Sequence, residues 1–138
     1  MSESVVIDIQ LNSPINKVWS ALTTSDMMSK WMLFKQNNFE PTVGHKFQLS
    51  GVEGYDQVVE CEVTEVDEPN TLAYTWTAPG VDNQMSETVV TFKLAEVDGG
   101  TSLNFEQSGF RADAQQEIGG ATYSWTAMFG DLEKMLAS

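Results

Sequence analysis

The chain has 138 residues, enough for one domain with a sizeable core. Apolar residues make up 41%, with seven Phe, four Trp and three Tyr, which excludes a disordered chain. Twenty acidic against seven basic residues give a net charge of −13, so the surface repels phosphate backbones and anionic headgroups; no nucleic acid and no membrane is expected as a partner.

Cys61 is the only cysteine, which excludes an internal disulfide and a cysteine-based zinc cluster. The start, Met1-Ser2-Glu3-Ser4, has neither the basic nor the apolar region of a signal peptide. No apolar run approaches the ~20 residues of a spanning helix, and a cytoplasmic location is the expectation. With no linker, repeat or low-complexity segment, residues 1–138 read as a single domain.

Val5, Ile7, Ile9 and Leu11 alternate with Asp8 and Gln10, the pattern of a half-buried strand. Ser13-Pro14 then predicts a helix start, with Ser13 as N-cap and Pro14 at the first helical position. Ile15, Val18, Trp19 and Leu22 share one face of that helix, and a second short helix from Ser25 carries Met27, Met28 and Trp31. Phe47 and Leu49 mark the next strand, followed by a turn over Gly51–Gly54. Val59, Cys61 and Val63 face inward over 57–66, and Val66 falls out of phase, which predicts a bulge.

Glu68-Pro69-Asn70 makes a turn before Leu72, Tyr74 and Trp76, again alternating. Pro79-Gly80 and Asp82-Asn83 open a longer loop. Thr88, Val90, Phe92 and Leu94 form the next inner face. Asp98-Gly99-Gly100 forms a hairpin turn, and Leu103, Phe105 and Gln107 follow. The period then changes from two to about 3.6. Ile118, Ala121, Trp125, Met128, Phe129, Leu132, Met135 and Leu136 form the apolar stripe of a long helix, with Gly119-Gly120 marking its start or a kink. One strand, two helices, five strands and a long helix predict an α+β fold, a curved antiparallel sheet around the terminal helix.

Several landmarks, taken together and in order, resemble one superfamily. They are Asn12-Ser13-Pro14, Val18-Trp19-x-Ala21-Leu22-Thr23, Trp31, Gly44-x-x-Phe47 and Val66-x-x-Pro69-x-x-Leu72-x-Tyr74-x-Trp76. Val90-Thr91-Phe92, Gly100-Thr101-x-Leu103, Ser108-Gly109-Phe110 and Trp125 continue the series. The chain resembles the SRPBCC (START-like, helix-grip) superfamily. Within it, the match is to the AHSA family, named after the activator of the 90-kDa heat-shock-protein ATPase. The resemblance implies a helix-grip fold around a deep cavity, in a superfamily whose members bind lipids, hormones or polyketides or act as cyclases. Two positions depart from it: many members carry His where this chain has Gln107, and Gly where it has Ser124.

His45 is the only histidine, so any triad or multi-histidine metal site would need it, and it is expected on the surface beside a turn. No phosphate-cradling glycine loop, nucleophile elbow or metal-ligand spacing is present. No catalytic residue, metal or cofactor is therefore assigned, and the chain leans away from being an enzyme. Glu60, Glu62, Glu106 and Asp8 fall on solvated faces, while Glu53 and Asp56 flank a hairpin that would overhang a pocket.

The inward aromatics serve either as plain core or as the wall of a cavity. Tyr74, Thr88 and Gln107 fall among them, and buried polar groups need partners from protein, water or ligand. An apolar cavity with a few placed polar groups is how small-molecule sites are built. The expected function is non-enzymatic binding of a small hydrophobic or amphipathic molecule. Its site would be lined by Tyr74, Trp76, Phe92, Gln107, Trp125 and Phe129. Its mouth would lie near Trp31 and Phe110, where the chain is expected to leave its regular elements. The alternatives are a chaperone-interaction domain, with a chaperone as partner, and a cyclase-type enzyme using the same cavity.

Overall fold

The N-terminal strand β1 (Ser2–Leu11) ends in a Ser-Pro corner, and two short helices follow, α1 (Ile15–Thr23) and α2 (Ser25–Trp31). The chain then builds β2 (Lys35–Asn37), β3 (Lys46–Ser50), β4 (Val59–Asp67), β5 (Thr71–Pro79), β6 (Met85–Val97) and β7 (Gly100–Arg111), and closes with the helix α3 (Gln115–Ala137). This is a computed structural model, and it describes residues 2–32, 35–37, 39–50, 58–79, 85–111 and 115–137. The expected turn over Gly51–Gly54, the carboxylates Glu53 and Asp56, and Asp82-Asn83 lie outside these residues.

All strand pairs are antiparallel, in the order β1-β7-β6-β5-β4-β3-β2. The helices carry the chain from β1 to the far edge, and the strands then meander back until β7 pairs with β1. The result is the helix-grip architecture, a curled seven-stranded sheet with its terminal helix on the inner face. No helix among the described residues is long and apolar enough to cross a membrane.

Strand registry explains how single-residue alternation becomes a core. Val63, Tyr74, Val90, Gln107 and Val5 form one row across five strands, all on the inner face. The neighbouring row is Val66, Leu72, Phe92, Phe105 and Ile7. Side chains two residues apart share a face, so each strand adds one member to each row. The bulge expected near Val66 is present, with a register shift between Val63 and Glu65. A second bulge places Gly109 of β7 between the residues that pair with Glu3 and Ser4, at a φ of 99° that favours glycine.

Three local expectations are corrected. Ser13 does not cap α1, because the Pro14 carbonyl opens the helix by accepting from the Lys17 and Val18 amides. The Ser13 hydroxyl instead donates to the Leu136 carbonyl at 3.4 Å, which Lys17 Nζ also reaches at 3.2 Å. The last carbonyls of a helix lack intrahelical partners, so these donors serve the end of α3. Strand β2 was not expected. Its Lys-Gln-Asn sequence has no apolar alternation, and pairing with β3 makes it a strand. Gly119-Gly120 does not mark the helix start, since α3 begins at Gln115 and stays helical through both.

Candidate functional site

The space between the sheet and α3 is filled by aromatic rings supplied from both sides. From β5, β6 and β7 come Tyr74, Trp76, Phe92 and Phe105, and from α3 come Trp125 and Phe129. Ring centroids lie 4.4 Å apart for Phe105 and Trp125, 5.3 Å for Trp76 and Trp125, and 5.9 Å for Phe92 and Trp125. Phe129 continues the set to Trp31 at 6.2 Å, and Tyr74 continues it to Phe47 at 5.1 Å and then Phe39 at 4.8 Å. Offset and edge contacts of this kind suit the quadrupoles of the rings.

Polar atoms are set into this apolar surface. Trp125 Nε1 donates to Gln107 Oε1 at 3.0 Å, and Gln107 Nε2 donates to Thr88 Oγ1 at 2.8 Å. Thr88 in turn donates to the Trp76 carbonyl at 3.1 Å. Gln107 is thus tied to the indole and the hydroxyl beside it, and it fixes the plane of the Trp125 ring. Tyr74 differs. It is 1% exposed, yet its hydroxyl makes no hydrogen bond among the described residues. Burial holds its phenol well above the usual range, and the nearby Cys61 adds to the shift. Burial likewise pushes the Cys61 thiol up, with Glu60 a lesser cause, so both groups stay neutral at ordinary pH.

Seven of the eight expected site residues come together here: Trp31, Tyr74, Trp76, Phe92, Gln107, Trp125 and Phe129. All but Trp76 are buried, and Trp76 is half-buried toward the end of the sheet where β5 stops and β6 starts. Phe110 is buried but joins no ring of this set among the described residues. Trp31 is the last residue of α2, with its Nε1 donating to the Ala21 carbonyl at 2.8 Å, and Phe110 is the last but one of β7, so both stand where the chain leaves its regular elements. Phe39 and Phe47 extend the aromatic wall past what the sequence suggested. Phe39 belongs to no periodic segment, so alternation could not flag it.

Other features are less suggestive. His45, expected on the surface, is half-buried, with its backbone paired to Val63 and its Nδ1 3.6 Å from a Glu40 carboxylate oxygen. Among the described residues no group of three His, Cys, Asp or Glu side chains is placed to hold a metal. A solvent-open groove of about 640 Å³ lies at the opposite end of the sheet, lined by Asn12, Pro14, Asn16, Glu96 and Gly99 among others. It holds no aromatic ring. The buried hydroxyls beside it are already used, Ser13 on Leu136 and Thr101 on the Ser13 carbonyl at 2.7 Å. That groove is a surface feature rather than the inner-face site.

The model of the Activator of Hsp90 ATPase homolog 1-like protein family matches residues 12–137, from the end of β1 through α3. The chain belongs to this family. Among solved structures, protein MLL2253 from Mesorhizobium loti is 38% identical and superposes with a TM-score of 0.88, the match covering 98% of this chain and 97% of that one. CalU16 from Micromonospora echinospora shares the fold at 19% identity and a TM-score of 0.76, covering 98% of this chain and 76% of that one. CV1439 from Chromobacterium violaceum does so at 17% identity and a TM-score of 0.80, over 98% and 97%. No curated protein gives a significant sequence match. The AHSA1-like assignment agrees with the landmark residues, since Trp31, Tyr74, Trp76 and Trp125 all lie within the matched span.

Proposed function

We propose that the chain binds a small hydrophobic or amphipathic molecule between the concave sheet face and α3, without transforming it. The observation that carries this reading is the aromatic surface itself. It is continuous from Phe39 to Trp125 and reaches the half-buried Trp76 at one end of the sheet. Rings from two separable layers can part around an apolar guest, and they hold it by contact area. The lining would be Tyr74, Trp76, Phe92, Trp125 and Phe129, with Gln107 bracing the Trp125 wall. Entry at the Trp76 end follows from burial, since the other lining residues are closed off.

Small molecules carried through purification under native conditions should appear by mass spectrometry of the intact protein. An apolar probe should also change the tryptophan fluorescence saturably, because Trp76 and Trp125 are in contact. A chain that carries nothing and gives only linear, unsaturable quenching speaks against a binding site. The family description supports a second reading, a chaperone-interaction domain. That reading expects stimulation of the Hsp90 ATPase by the purified chain, with co-elution of the two proteins. Binding of a probe with no such stimulation favours the first.

A further inference from the structure

We infer that Tyr74 is the hydrogen-bonding anchor of this site and that it selects an uncharged, flat aromatic ligand bearing a carbonyl oxygen, turning carboxylates away. The inference rests on the binding reading above and adds the chemistry of the guest. Tyr74 is the group whose polar atom is left over. The buried polar side chains are Ser13, Thr88, Thr101 and Gln107, and each has a hydrogen bond within the protein. The Tyr74 hydroxyl has none among the described residues, although the side chain is wholly enclosed. A buried donor without a partner is costly, so such a group in a native interior points to an occupant that supplies the acceptor.

The surroundings define that occupant. The Tyr74 ring lies between Phe47, edge-on at 5.1 Å, and Phe92 at 5.9 Å, which favours a flat, polarisable partner over a flexible alkyl chain. Trp125, braced by Gln107, packs on Phe92 and adds a further wall beyond it. Charge is decisive. Lys17, Lys30, Lys35, Lys46, Lys93 and Lys134 are all exposed, and no described cation enters the core. An anion beside Tyr74 would be stripped of water with no counter-ion among the described side chains, next to a thiol and a phenol that are themselves held neutral by burial. A protonated phenol is a donor first, and a neutral carbonyl is the acceptor that suits it.

The test is calorimetric titration near neutral pH with three probes of one shape: 2-acetylnaphthalene, 2-ethylnaphthalene and 2-naphthoate. The ketone should bind roughly tenfold more tightly than the hydrocarbon, the worth of one buried hydrogen bond, and the carboxylate should not bind measurably. In Tyr74→Phe, whose melting temperature is expected to equal or exceed that of the parent, the ketone should fall to the level of the hydrocarbon. The hydrocarbon itself should be unchanged. Equal binding of ketone and hydrocarbon by the parent chain, or binding of 2-naphthoate as tight as the ketone, overturns the inference while leaving the site intact. A ketone advantage that survives Tyr74→Phe overturns it as well. Failure of all three probes, the hydrocarbon included, removes the binding reading and this inference with it.

Discussion

The indole N–H of Trp125 meets the side-chain oxygen of Gln107 at 3.0 Å, joining the middle of α3 to the middle of β7 through the core. Gln107 passes the connection on to Thr88 and so to the backbone of β5. In an otherwise apolar layer this chain of bonds sets how α3 is rotated over the sheet, since any other rotation would leave buried donors unpaired.

Gln107→Leu should therefore destabilise by about 1–3 kcal/mol in urea unfolding, because it removes the partner of a buried indole and a buried hydroxyl. Trp125→Phe should cost less in that background than in the parent, with a coupling of about 0.5–3 kcal/mol between the two sites. Strictly additive costs would show that the bond contributes nothing to stability.

Trp125 also packs against Trp76, Phe92, Phe105 and Phe129, and it is 2% exposed. Truncation to alanine should cost about 3–5 kcal/mol, the usual range for a large aromatic removed from a tight core. A loss below about 1 kcal/mol would mean that the ring already borders a void, and that observation would itself favour a preformed cavity.

Two sets of glycines should respond in opposite directions. A Cβ on Gly100 would collide with the Leu11 carbonyl oxygen, where β7 starts against the end of β1. Backbone in that position cannot yield cheaply, so Gly100→Ala should lose more than about 2 kcal/mol. Gly119 and Gly120 are exposed, helical and open around the Cβ position. Alanine at either site should raise stability by up to about 1 kcal/mol through helix propensity. Destabilisation there would mean that the folded chain needs a glycine at these positions, against the open helical surface described.

How much of this was legible in the sequence depends on what each residue does. Tyr74, Phe92, Phe105 and Gln107 were found because a strand side chain two residues from a buried one must share its face, which is a purely local rule. Trp125 and Phe129 followed from helical spacing in the same way. The partners of the polar groups were not legible, because Gln107–Trp125 and Ser13–Leu136 join residues brought together only by curling of the sheet and docking of α3. Strand β2 and the ring of Phe39 were missed for a related reason. Each is defined by its neighbour, β3 in one case and Phe47 in the other, and not by a period of its own.

Alkaline pH should weaken the fold through Cys61 and Tyr74. Both hold their protons more tightly in the folded chain than in the unfolded one, chiefly because burial penalises the charged forms. Unfolding therefore releases protons once the pH passes the unfolded values, about 8.5 for a thiol and about 10 for a phenol. Stability contributed this way is complete below about pH 8.5 and falls as pH rises, by about 1.4 kcal/mol per pH unit for each group fully engaged. Urea unfolding of the parent chain, Cys61→Ala and Tyr74→Phe from neutral pH upward separates the two contributions. Cys61→Ala should lose the first decline and keep the second, whereas Tyr74→Phe should do the reverse. Cys61 should also resist thiol reagents until the chain unfolds, since the thiolate that reacts is suppressed by burial. Parallel curves for all three proteins above about pH 9 would show that neither group is enclosed as described, and the unpartnered Tyr74 hydroxyl would then be open to water rather than waiting for a ligand.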